Sequence, residues 1–190
     1  MKTLSSIFSF FGNPIIMVPV MIQLVLYRRN SSDQHLLISI ISIGLSLFAI
    51  GWILYEKKIG HYSDFSVSNR KQRYSLYYFA IPAVFGVAVI SYVLELPSFF
   101  ITSFIAGGVL LIASYLSNFV IKSSLHTSVN IYLSIVVFTL DLPLGLLVFF
   151  LTIVIAISRV ILKKHTVPEV ISGFLIGTIC GSCLYFYTIY

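Results

Sequence analysis

The segment PLGLLVFFLTIVIAISRVILKKHTVPEVISGFLIGTICGSCLYFYT, residues 143–188, contains two long apolar runs separated by one short polar turn. Each run is about 20 residues long, the length of α-helix that crosses about 30 Å of hydrocarbon at 1.5 Å per residue. Pro168 opens the second run and closes off the first, so the segment reads as a helical hairpin with Lys163, Lys164 and His165 at its tip. Moving outward along the chain, similar runs fall near 9–27, 35–55, 74–94, 98–120 and 127–140. The fifth run is short, and Asp141-Leu142-Pro143 marks a tight turn before the sixth.

Composition agrees with this pattern. Of 190 residues, 58% are hydrophobic and 9% charged, and mean hydropathy is +1.02. A soluble domain carries roughly a quarter of its residues as Asp, Glu, Lys and Arg. The expected fold is therefore all-α, a polytopic integral membrane bundle of six to seven transmembrane helices. It forms one domain over 1–190, with N-terminal helices in 1–55 and a core in 56–190. The first run is interrupted by Pro14 and Pro19 and lacks a small-residue cleavage site, so it is expected to be a membrane helix and not a removable signal. Cys180 and Cys183 lie within the last run with no second ligand pair, and are read as small packed residues.

Seven helices would put the connections 56–73, 121–128 and 162–169 at the same end as the N-terminus. With Arg159 included, ten of the twelve Lys and Arg residues and three of the four histidines gather there. Lysines in short loops follow the positive-inside rule. That rule does not explain the histidines, Lys122 beside Ser123 and Ser124, or Arg159 inside an apolar run. A shared anion pocket explains them together.

Each cluster has a plainer role beside the functional one. Arg159 either faces the bundle interior and an anion, or snorkels to the interface one turn away. Glu169, four residues after His165, is placed to orient that imidazole through one nitrogen. Thr166-Val167-Pro168-Glu169 is equally a capping box. His126, after Ser123 and Ser124, stands where a helix N-terminus would offer N–H groups to an anion, or where an ordinary serine cap would sit. Arg70, Lys71 and Arg73 precede the third helix as flanking cations, and Arg70 and Arg73 share a face if that helix extends back to them.

Together these clusters resemble the PAP2 (type 2 phosphatidic acid phosphatase) superfamily of membrane lipid phosphatases. The third motif of that family is Ser-Arg, five residues, His, three residues, Asp. Ser158-Arg159, His165 and Glu169 match it, with Glu in place of Asp. The second motif, Pro-Ser-Gly-His, is matched at Ser124 and His126 only. In the first, Lys, six residues, Arg-Pro, Arg73 falls at the arginine while Ser66 stands where the lysine would be. Gly173, Gly177 and Gly181 are similar to the family's glycine-rich last helix, a spacing that also lets helices approach closely.

The resemblance implies metal-independent phosphoryl transfer with no cofactor. His165 would be the nucleophile, Glu169 its orienting carboxylate and His126 the proton donor. Arg159, Arg73, Arg70, Lys71, Lys122 and Ser124 would bind phosphate. The expected partners are a lipid phosphate or diphosphate substrate and membrane lipids, with no nucleic acid, in the plasma (inner) membrane. The alternatives are a catalytically degenerate relative that binds anionic lipid, and a small transporter with Arg159 and Asp141 along its path. With the site cations set aside, charge counting favours a cytoplasmic site end, whereas many bacterial members of the family work at the outer face.

Overall fold

The computed structural model describes residues 2–29 and 34–189, all of whose regular structure is helical. Eight helices are found among the described residues. These are α1 (Lys2–Phe11), α2 (Pro14–Arg29), α3 (His35–Lys58), α4 (Arg73–Val93), α5 (Ser98–Ser117), α6 (Leu125–Phe138), α7 (Leu142–Ile161) and α8 (Val167–Ile189). Residues 30–33 of the expected connection after the first run lie outside the described residues. Five helices are long and apolar enough to cross a membrane, and the α1–α2 pair brings the total to six if it counts as one bent span. Only 22–39% of each spanning window is buried inside the protein, so the rest of that apolar surface faces outward, as lipid-facing helices require.

The first run differs from its expected single helix over 9–27. The chain breaks at Gly12-Asn13 and turns by 56°. Pro14 lacks an N–H and suits the first position of α2, while the Asn13 side-chain oxygen accepts from the Ile15 N–H at 3.1 Å. Gly12 is needed at the corner because a Cβ there would lie 2.5 Å from the Ile155 Cδ1 on α7. The Gly12 carbonyl accepts from the Asn130 amide on α6 at 2.8 Å, which fixes α1 across one end of the bundle.

The fifth run, expected over 127–140, forms α6, with only 14 residues. At 1.5 Å per residue it is about 21 Å long, too short to span hydrocarbon alone. It need not, because ten of its residues are buried among its neighbours. α8 packs along it through the three glycines. A Cβ at Gly173 would lie 2.6 Å from the Ser124 carbonyl oxygen, one at Gly177 would run into that of Ser128, and one at Gly181 would sit 2.9 Å from Ile135. α7 approaches from the other side, where Gly145 lies against the Phe138 ring.

Two sets of loops define the two ends. At one end Gln34 donates to the Glu95 carbonyl at 3.3 Å and Arg28 pairs with Asp141 at 3.2 Å. Asp141 also caps α7 by accepting from the Leu144 N–H at 2.9 Å, so its carboxylate holds helix ends together. The connections 59–72, 118–124 and 162–166 converge at the other end.

Candidate functional site

α7 ends in a Schellman turn. Lys163 adopts a left-handed backbone with φ of 54°, its N–H donates to the Val160 carbonyl at 2.9 Å, and the Lys164 N–H donates to the Arg159 carbonyl at 3.0 Å. This turn folds the chain back so that the buried His165 sits over the last turn of α7. The Lys164 ammonium pairs with Asp64 at 3.0 Å, which fastens the turn to the 59–72 connection. Burial pushes the Asp64 carboxyl up, but bonds from Lys164 and Ser68 outweigh it and hold the group below its usual range.

The Glu169 carboxylate performs both roles open to it. Its Oε2 accepts from the Thr166 N–H at 3.2 Å, the backbone half of a capping box, and lies 2.8 Å from the His165 Nδ1. A carboxylate accepts only, so Nδ1 carries the proton and Nε2 presents a lone pair. That Nε2 lies 3.1 Å from Nη2 of Arg73. Burial, followed by the cations of Arg73, Arg159 and Lys122, depresses the basicity of His165 far below the ordinary histidine range. That depression favours the neutral imidazole.

Arg73 opens α4 and is 1% exposed. Its Nε donates to the Val67 carbonyl at 3.1 Å and its Nη1 donates to that of Ser123. Val67 has φ of 45°, a strained backbone for a β-branched residue, held where its carbonyl meets the guanidinium. One turn further on, the buried Tyr77 hydroxyl faces Arg73 and Ser123.

Arg159 is also 1% exposed and faces inward, not toward the interface. Its Nη1 donates to the Ser9 hydroxyl at 2.8 Å and reaches that of Ser66 at 3.5 Å. Its Nε and Nη2 have no hydrogen-bond partner among the described residues. Nε2 of the buried His126 on α6 also has no partner among the described residues, and the buried Ser123 hydroxyl lies near that of Tyr77. The His126 ring lies close enough to Arg159, Arg73 and His165 to interact electrostatically with all three, and it meets the Ser9 main chain.

The bundle thus brings together His165, His126, Glu169, Arg159 and Arg73, from the ends of α4, α6, α7 and α8 and the 162–166 turn. Of the remaining candidates, Arg70 and Lys71 lie outside this pocket, while Lys122 and Ser124 border it with donors already engaged. Arg70 is exposed and its Nε donates to the Asn118 carbonyl at 2.7 Å, while the Asn118 amide returns a bond to the Arg70 carbonyl. Lys71 is exposed beside it. Both precede α4, which begins only at Arg73, so Arg70 does not share a helical face with it. The Lys122 ammonium is engaged by the carbonyls of Ser68 and Lys164 at 3.1 and 3.0 Å and by Glu169 at 3.5 Å, so it ties three loops together. Burial lowers its basicity, and Glu169 partly restores it. The Ser124 N–H donates to the Glu169 carbonyl at 2.9 Å and is not free for a ligand.

Ser9, Ser123 and Tyr77 also reach this pocket. Ser9 had a readable signal, since Ser5 and Ser9 are one turn apart on the buried side of α1. Tyr77 is four residues after Arg73 and so shares its face. Among the described residues no group of three or more His, Cys, Asp and Glu side chains gathers to hold a metal.

The arrangement defines a class of site in physical terms, a buried cationic pocket with a neutral, carboxylate-oriented histidine at the end of a membrane-type helical bundle. No family model, curated protein or solved structure matches the chain.

Proposed function

We propose that this chain is a lipid phosphate or diphosphate phosphatase of PAP2 type, working through a phosphohistidine on His165. One observation carries the reading. Two buried guanidiniums that no carboxylate pairs among the described residues flank an imidazole whose lone pair is fixed by Glu169. Arg73, Arg159 and Lys122 are three cations beside the carboxylate of Glu169, and Asp64, also within electrostatic reach of both guanidiniums, is already paired with Lys164. Isolated buried charges cost several kcal/mol each, and a phosphate dianion offsets that penalty.

In the proposed reaction, the phosphate oxygens lie against Arg159 Nε and Nη2, the Arg73 fork and the Ser123 hydroxyl. A substrate entering as its monoanion leaves its proton on His126 Nε2. His165 Nε2 then forms the N–P bond as the bond from phosphorus to the lipid oxygen breaks, and His126 returns the proton to the departing alkoxide. Water next attacks phosphorus, His126 accepts its proton, and the N–P bond breaks to free phosphate. The guanidiniums stabilise charge on the equatorial oxygens in both steps.

A second reading has its own support. The Nε2 lone pair is engaged by Arg73, and Ser66 stands where a third cation would be, as in a pocket that binds anionic lipid without turnover. Phosphate release from a panel of lipid phosphates, with His165→Ala as control, separates the two. Release by the unsubstituted protein alone supports the enzyme, and equal rates from both would leave only binding. The proposed location is the plasma (inner) membrane, with the site end on the cytoplasmic side where most Lys and Arg lie. Labelling of single cysteines in the 59–72 and 94–97 connections tests the orientation.

A further inference from the structure

A cavity of about 710 Å³ lies between the α2–α3 and α4–α5 pairs, with α6 as its back wall. Its lining is almost wholly apolar. One end reaches Arg73 and His126, and the other reaches Pro97, Phe100 and Leu26 at the opposite end of the bundle. Along α6 it runs from Leu125 to Val137, a rise of about 18 Å at 1.5 Å per residue. Near the site end, Trp52 of α3 stacks on Phe79 of α4 with centroids 4.7 Å apart, and α3 otherwise meets α4 sparsely. An unfilled apolar cavity forfeits dispersion contacts along its whole wall. A hydrocarbon chain restores them, and only a chain with an anionic head suits the cationic end.

We propose that this cavity seats the hydrocarbon tail of the substrate inside the bundle, and that Gly107 at mid-depth sets the length of tail accepted. The proposal rests on reading the Arg73–Arg159–His165 pocket as the phosphate site. Gly107 lines the cavity halfway along α5, and a Cβ added there meets nothing within 4 Å. A large side chain at this position therefore enters the cavity and closes its far half. Gly86 on α4 also has open space around it but does not line the cavity, which makes it a matched control.

The test uses the full chain in lipid nanodiscs, with octyl phosphate and eicosyl phosphate as probes, measuring competitive binding and phosphate release. Gly107→Phe is expected to weaken the long probe about tenfold or more and leave the short one unchanged. Gly86→Phe is expected to match the unsubstituted protein on both. Equal effects of Gly107→Phe on both probes, or no effect on either, would overturn the tail seat. Eicosyl phosphate with a photoreactive terminal carbon provides a check without any variant. Labelling of α5 near Phe100 supports the seat, and labelling confined to bulk lipid opposes it. Hydrolysis without selective loss of the long probe defeats the tail seat alone, whereas selective binding without hydrolysis defeats only the phosphatase reading.

Discussion

The two halves of the bundle are built differently. α6, α7 and α8 meet through glycines, with α8 backbone against the carbonyls of Ser124 and Ser128. α2, α3, α4 and α5 instead surround a cavity of about 710 Å³. The dense half carries His126, Arg159, His165 and Glu169, and the hollow half contributes Arg73 from its rim. Chemistry at phosphorus needs reacting groups held to within fractions of an ångström, whereas lodging a flexible tail needs room. On this account the close half does the chemistry and the open half does the binding.

Substitutions in the close half should therefore act on rate, and those in the open half on lipid preference. His165→Ala is the most severe and is expected to bring phosphate release to background in a malachite-green assay. His126→Ala removes the proton donor and should slow release by about 10²–10⁴-fold, with phosphoprotein formation tracking the first step. Arg159→Lys keeps the charge but loses the fork, and should cost about 10²–10³ in kcat with a smaller change in KM. A dominant effect on KM would move Arg159 to the binding half of the comparison.

Stability sharpens the same contrast. Gly177→Ala drives a Cβ into the Ser128 carbonyl and should destabilise by about 1–3 kcal/mol, read as a lowered thermal midpoint in detergent. Gly107→Ala, in open space, should be neutral or slightly stabilising. Stability should also depend on pH. His165 is held neutral in the fold, so the unfolded chain takes up its proton first. Its contribution is fully present above about pH 6.5 and declines below it, by up to about 1.4 kcal/mol per pH unit. His165→Gln should flatten that acid-side slope in thermal melts between neutral and mildly acid pH.

The helical class was legible from apolar runs alone, because the bilayer sets their length. The break at Gly12-Asn13 was not, since it depends on Ile155 of a distant helix crowding the glycine. α6 read as a membrane span because hydropathy cannot separate a helix sheathed by protein from one bathed in lipid. Within the site, the spacing of Arg159, His165 and Glu169 was readable because one turn and one cap fix all three. Lys122 and Ser124 looked like free donors in the sequence. Their partners, the Lys164 and Glu169 carbonyls, come from the 162–166 turn and the first turn of α8, so only the assembled fold shows them engaged. The cavity left no local signature, because its wall is made of the same apolar residues as any membrane helix.

The most direct test is mass spectrometry of the unsubstituted protein, quenched in base shortly after mixing with a lipid phosphate. The account predicts an acid-labile phosphoryl group on the peptide containing His165, absent from the His165→Ala protein. Phosphate release by the unsubstituted chain with no phosphoryl group on that peptide, and an undiminished rate in His165→Ala, would contradict it.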